Sequence, residues 1–238
     1  MLRKISFLLV FVLLLAGVNM SAENPQYYIL ERQRMVERQI EARGIKDSRV
    51  LKAMQKVPRH LFIPEENRHS SYADTPLPIG EGQTISQPYI VAFMTEILDL
   101  DSEDRILEIG TGSGYQAAIL GEIAKEVYTI EIIPVLGKRA EKLLKKLEYE
   151  NIYVKIGDGY KGWPEDAPFD AVIVTCAPED IPRALINQLK EGGRMIIPVG
   201  TSGGVQELVK GVKDKGRFKT QDVLPVRFVP MVRGKDKK

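Results

Sequence analysis

Cysteine is almost missing from this chain. Cys176 is the only one, which excludes an internal disulfide framework. With just two histidines, His60 and His69, the chain also lacks the four ligands of an ordinary structural zinc site, and no metal is expected. A charge excess of one sign is missing too, since 34 basic residues face 32 acidic ones. Arg3 and Lys4 account for that difference, and the tail Arg233 to Lys238 holds four bases against one acid, so the body between is slightly acidic. A body of that charge gives no support for duplex binding through phosphate contacts, and nucleic acid is not an expected partner. Internal repeats and low-complexity tracts are absent. The one long apolar run, Ile5 to Val18, falls short of the about 20 residues of a spanning helix. What remains is a globular composition, 44% hydrophobic and 28% charged over 238 residues, large enough to bury a core without disulfides or metal.

The first 22 residues read as an export signal: Arg3 and Lys4, the apolar run, then small residues at Ser21 and Ala22. Met20 is a poor residue before a cleavage site. An uncleaved anchor and a cytoplasmic protein starting at Met20 are the alternatives to an exported, periplasmic one. Residues 23–83 are expected to form helices and a loop packed on a main domain. Tyr28, Met35, Val36 and Ile40 recur at helical intervals up to a stop at Gly44. A second helix over about Ser48 to Val57 takes Asp47 or Ser48 as its cap and ends at Pro58, with Leu51 and Met54 on its apolar face. From Pro58 to Gln83 the prolines and glycines predict an ordered loop of the kind that covers sites. Ser86 is then expected to cap a helix with Pro88 in its first turn and Ile90, Phe93, Met94 and Ile97 on one face.

Beyond that helix the pattern becomes alternating strands and helices. Arg105–Ile109, Val127–Ile132, Ile152–Ile156, Asp170–Val174 and Arg194–Pro198 are short β-branched runs, separated by helical stretches such as Val135 to Leu147. The alternation predicts a parallel sheet with helices on both faces, and Glu207–Val212 with Lys219–Val229 predict an antiparallel hairpin at one edge. The main domain runs over 84–232 and the basic tail over 233–238.

Chemistry concentrates at the carboxyl ends of the strands, where open α/β sheets bind ligands. Glu108-Ile109-Gly110-Thr111-Gly112-Ser113-Gly114-Tyr115 closes the first strand and opens the next helix. Glu131 ends the second strand, 21 residues beyond Gly110, where a carboxylate can accept both hydroxyls of an adenosine ribose. Asp158 follows the third strand in Gly157-Asp158-Gly159. Taken singly, these are also a plain turn, a solvated strand end and an Asx-turn residue. A dinucleotide turn counted from Gly110 would need glycine where Tyr115 stands, and the phosphate loop G-x-x-x-x-G-K-[ST] is absent, so a pyrophosphate is disfavoured.

The E-x-G-x-G-x-G arrangement, with acids after strands two and three, resembles the class I methyltransferases that bind S-adenosylmethionine. The resemblance implies a Rossmann-like, doubly wound, mostly parallel sheet. It also implies that Gly110, Gly112 and Gly114 take the methionyl part, Glu131 the ribose and Asp158 the adenine side, with Glu108 and Gly159 completing the donor site. A narrower resemblance is carried by Val57-Pro58-Arg59-His60-Leu61-Phe62-Ile63-Pro64, by Tyr72 to Gly80 and by Gly82-Gln83-Thr84-Ile85-Ser86-Gln87-Pro88. Gly157 to Trp163 and Pro225-Val226-Arg227-Phe228-Val229-Pro230 add to it, so that nearly everything from Met35 to Met231 is similar to protein-L-isoaspartate O-methyltransferases. That family esterifies the free α-carboxylate of isoaspartyl residues in damaged proteins and peptides. The resemblance implies Thr84, Ile85 and Ser86 at the acceptor, Ser86 as the catalytic residue, and a monomer without stable membrane association once the signal is removed. A small-molecule methyltransferase and a non-catalytic nucleotide-binding protein are the alternatives.

The residues suit such chemistry. A carboxylate with an ordinary pKa of about 4 is ionised at neutral pH and needs no general base. Transfer turns an anion and a cation into two neutral groups, so a dry pocket helps: at about 4 Å the pair attracts by about 1 kcal/mol in water and about 4 kcal/mol at an effective dielectric of 20. Holding the reactants in line contributes about 7–11 kcal/mol, so orientation dominates. Ser86, at a helix amino end, suits an orienting role. With no base required, His60 reads as a packed loop residue, His69 as surface, Cys176 as a small buried thiol and Trp163 as packing.

Overall fold

The computed structural model describes residues 25–234; the signal reading and the end of the basic tail lie outside the described residues. Helix α1 (Pro25–Met35) continues through a π-helical turn, Val36–Ile40, and a 3-10 turn, Glu41–Arg43, to Gly44. Gly44 takes φ 98°, the left-handed stop expected of it. In α2 (Ser48–Lys56) Asp47 is the cap, its side chain accepting from the amides of Arg49 and Val50, and Val50, Ala53 and Met54 are buried. The stretch after Pro58 holds two 3-10 turns and then a small antiparallel hairpin, β1 (Leu77–Gly80) and β2 (Gln83–Ile85).

Helix α3 spans Pro88–Ile97 and corrects one expectation: its N-cap is Gln87, without a side-chain cap bond, not Ser86. Proline takes the first helical position because its missing N–H is an orphan there in any case. That fixes the cap one residue before Pro88 and leaves Ser86 outside the helix. The buried face also shifts. Val91, Ala92, Met94 and Thr95 are covered, while Ile90, Phe93 and Ile97 are only half-buried.

The main sheet follows: β3 (Arg105–Ile109), α4 (Tyr115–Gly121), β4 (Glu126–Glu131), α5 (Pro134–Lys146), β5 (Ile152–Ile156), β6 (Phe169–Val174), α6 (Arg183–Asn187), β7 (Leu189–Val199), β8 (Gln206–Asp214) and β9 (Arg217–Val226). Its order is β5-β4-β3-β6-β7-β8-β9, parallel from β5 to β7 and antiparallel through β8 and β9. Because β3 pairs with β4 on one side and β6 on the other, the turn after β3 lies where the strand order reverses.

Alternation along the strands divides the core. Ile106, Val127, Ala171 and Ile173 pack with Met35, Met54, Val91, Met94, Ala118 and Leu136 of the N-terminal segment and of α3 to α5. Leu107, Ile109, Val172 and Val174 pack on the other face with Leu185 of α6, Met231 and the half-buried Trp163. Residues 25–85 therefore share a core with the sheet. Glu96 of α3 ties them further, its carboxylate accepting from the amides of Lys46 and Asp47 at 2.6 and 2.7 Å. Among the described residues no helix is long and apolar enough to cross a membrane.

Candidate active site

The chain reverses sharply out of β3, and the residue there has to be glycine. Gly110 takes φ 99°, and a Cβ on it would lie 2.5 Å from the Thr175 hydroxyl oxygen. That hydroxyl donates to the carbonyl of Gly110 at 2.8 Å and is within 3.1 Å of that of Ile109, binding the exits of β3 and β6 together. Glu131, at the end of β4, fixes the turn from the other side. One carboxylate oxygen accepts from the Gly112 amide at 2.7 Å and the other from the Ile133 amide at 2.9 Å. Each oxygen keeps a further lone pair, so the buried carboxylate still has acceptor capacity.

Glu131, Gly110, Gly112 and Gly159 line one cavity together with Ile109, Ile130, Ile133, Gln83, Thr84 and the segment Val229 to Val232. Gly159 is required by close approach, since a Cβ would sit 2.4 Å from the Ile109 side chain. A carboxylate set among apolar walls and a glycine cradle fits a cationic sulfonium carrying an adenosine. Asp158 stands differently. Its carboxylate accepts from the Tyr160 amide at 2.9 Å in an Asx turn, and it is Gly159 that forms the cavity wall.

Glu108 is buried beneath the turn, with neither carboxylate oxygen hydrogen-bonded in good geometry. Burial pushes its carboxyl up to about 8; the Thr129 hydroxyl opposes the rise and the Glu131 charge adds to it. It does not border the cavity. Gly114 takes φ 87° as the N-cap of α4 and packs against Ala140 and Leu144 of α5. Its contact is with the helix layer.

Thr84 is shared with two further spaces. One is a small gap bounded by Ile85, Ser86, Gly110 to Ser113, Tyr115 and Thr175. The other is an open cleft of about 490 Å³ bounded by Pro76, Ser86, Gln87, Ile90, Val205 and Pro225 to Val229. Ser86 borders both, and its hydroxyl has no hydrogen-bond partner among the described residues. Since Gln87 is the helix cap, that hydroxyl is not spent on capping.

The segment is held by its backbone. The Ser86 carbonyl accepts from Arg59 at 2.8 Å, the Gln87 side chain donates to the Asp74 carbonyl at 3.1 Å, and Arg139 of α5 donates to the Ile79 carbonyl of the hairpin at 2.5 Å. The roles of Arg59, Thr175, Val205 and the covering segment Val229 to Val232 were not anticipated. The Pro225 to Pro230 string was the one sequence signal pointing at that segment.

The side chains read as structural pack as such. His60 stacks on Tyr28 at 3.9 Å and hydrogen-bonds the Tyr72 hydroxyl at 2.8 Å, and burial holds it down at about 4. His69 is exposed. Trp163 packs edge-on to Tyr128 at 5.3 Å. Cys176 departs from that reading, being half-buried and bordering the Glu131 cavity; burial, with the Glu131 and Glu108 charges adding, pushes its thiol up to about 12, which keeps it protonated at neutral pH.

A mostly parallel sheet whose first βα turn is glycine-rich and pinned by the carboxylate ending the next strand is a nucleotide-binding architecture, and without a dinucleotide fingerprint or phosphate loop it fits the class I methyltransferases. The model of one such family, protein-L-isoaspartate(D-aspartate) O-methyltransferase, matches residues 30–236, and the chain belongs to that family. A protein-L-isoaspartate O-methyltransferase of Opitutus terrae is 55% identical over 86% of this chain and 88% of its own length. The protein-L-isoaspartate O-methyltransferase 2 of Shewanella sediminis is 48% identical over 96% of this chain and 95% of its own. A solved protein-L-isoaspartate O-methyltransferase superposes with a TM-score of 0.78 at 30% identity, over 84% of this chain and 65% of that one. A Plasmodium falciparum structure solved with S-adenosyl-L-homocysteine shares the fold, with a TM-score of 0.73 at 24% identity over 87% of this chain and 99% of that one.

Proposed function

We propose that the spaces on either side of Thr84 hold the two reactants of one methyl transfer. The chain is a protein-repair methyltransferase: it transfers a methyl group from S-adenosylmethionine to the free α-carboxylate of L-isoaspartyl residues, giving the methyl ester and S-adenosylhomocysteine. The observation that carries the assignment of the two spaces is the position of Thr84, which borders both the Glu131 cavity and the open cleft, with Ser86 two residues on bordering the cleft and the small gap.

When bound, S-adenosylmethionine supplies an electrophilic methyl group on a cationic sulfur. Glu131 would accept the ribose hydroxyls while holding the turn, and Gly110, Gly112 and Gly159 would let the backbone approach. On the acceptor side the Ser86 hydroxyl and the free amides at the start of α3 would hold the carboxylate, which arrives already ionised. Pro88 has no amide to offer, so Tyr89 and Ile90 present the first N–H groups of that helix. Thr84 and the segment Val229 to Val232 would border the bound donor, and exclusion of water there would strengthen the attraction of the charged pair.

The test is methyl-ester formation on a synthetic isoaspartyl peptide beside the same peptide with ordinary aspartate. Esterification of the first alone supports the assignment; equal esterification of both, or of neither, refutes it. For the leading segment we propose export, supported by the basic, apolar and small-residue pattern of residues 1–22. A mature protein beginning at or near Glu23 in a periplasmic fraction would bear this out, and a cytoplasmic protein beginning at Met20 would contradict it.

A further inference from the structure

We infer that Arg59 is a positioning residue for the transfer, setting Ser86 at its working distance from the glycine turn. The inference rests on the assignment of the two spaces given above. Arg59 is fully buried, and the acid that acts on it, Asp74, is engaged by Arg43 at 2.7 Å. Burial lowers the guanidinium only to about 10, so it stays charged at neutral pH. A buried cation without a close counterion is costly, and an apolar side chain of similar volume would serve packing better.

What the guanidinium does is geometric. Its Nε donates to the Ser71 carbonyl and one terminal nitrogen donates to the Ser86 carbonyl, both at 2.8 Å. The other terminal nitrogen has no partner. The guanidinium carbon lies 4.9 Å from the ring centroid of Tyr115, the first residue of α4, which borders the same gap as Ser86 and Gly110 to Ser113. One rigid group therefore spans from the acceptor segment to the helix that follows the glycine turn. A lysine ammonium keeps the charge but lacks the planar fork that reaches both carbonyls.

The test uses Arg59→Met and Arg59→Lys in the full chain. It measures kcat and KM on an isoaspartyl peptide, together with calorimetric titration of S-adenosylhomocysteine, which counts folded sites in the same samples. Per titrated site, kcat is expected to fall about 100-fold in Arg59→Met and about tenfold in Arg59→Lys, the scale of a misplaced reactant. The dissociation constant of S-adenosylhomocysteine is expected to stay within about threefold of the parent, a shift well under 1 kcal/mol. A purely structural role predicts fewer titratable sites and a lower Tm with kcat per site unchanged, and that result would overturn the inference. If Arg59→Met does not fold, Arg59→Lys decides: kcat per site within about twofold of the parent refutes positioning. Failure of the parent itself to esterify the peptide would instead refute the underlying assignment, and the inference with it.

Discussion

At the scale of single residues, the proposed function gives Glu131 to the donor and Ser86 to the acceptor, and substitutions separate the two. Replacing Glu131 with glutamine keeps the volume but removes a carboxylate that accepts from two backbone amides and is available to the ribose. Hydrogen bonds to a charged acceptor contribute about 1.5–3 kcal/mol, so S-adenosylhomocysteine should bind about 10- to 100-fold more weakly to Glu131→Gln by calorimetry. Ser86→Ala removes one hydroxyl beside the cleft and none from a helix cap. The expected result is about a tenfold loss of kcat, the scale of one net hydrogen bond, with S-adenosylhomocysteine affinity unchanged. Unchanged turnover in Ser86→Ala would remove Ser86 from the chemistry.

At the scale of elements, caps contribute to stability while the side-chain ties of Arg59, Gln87 and Arg139 hold the acceptor segment and its hairpin. Asp47→Ala deletes the cap of α2, whose side chain accepts from the Arg49 amide at 2.7 Å. A lost cap costs about 1 kcal/mol, which for a chain this size lowers Tm by about 2–4 °C in calorimetric melting, with kcat retained. The strands were the most legible elements. Arg105–Ile109 is written locally as a short apolar run because its strand is buried, whereas Ile152–Ile156, an edge strand with Tyr153 and Ile156 exposed, is marked by β-branched residues between turn residues. The β1–β2 hairpin was not legible. Pro76, Pro78, Gly80 and Gly82 read as loop, and two edge strands of four and three residues gain their order from the Arg139 tie and the core beneath, which are long-range contacts. The cap of α3 was misplaced by one residue because serine's local preference yields to proline's fixed place at the first helical position. The place of Glu131 at the end of β4, beside the glycine turn, was legible, since spacing along a βαβ unit fixes the strand end. Arg59 was not, because nothing local marks an arginine that will be buried.

At the scale of the whole molecule, the buried Glu108 and the half-buried His60 limit stability from opposite sides. Glu108 keeps its proton up to about pH 8, whereas in the unfolded chain it ionises near 4.5. The native state then binds more protons across that window, and stability falls as pH rises through it. His60 is neutral in the fold down to about pH 4 but protonates near 6.5 when unfolded, so stability falls as pH drops across that range. Urea unfolding at pH 6 and pH 8.5 should show the alkaline loss in the parent and a smaller one in Glu108→Gln, which mimics the protonated acid. The difference should be on the order of a few kcal/mol, and equal losses in both would remove Glu108 from the account. The proposed function rests on one juxtaposition, a donor over the strand ends and an acceptor beside Ser86. A crystal structure of the chain with S-adenosylhomocysteine and an isoaspartyl peptide tests that most directly. The account predicts the adenosine against Glu131, the sulfur beside the Gly110 turn, and the isoaspartyl carboxylate at Ser86 with space for one methyl group between them. A peptide seated away from Ser86, or a sulfur that cannot face it, would contradict the account.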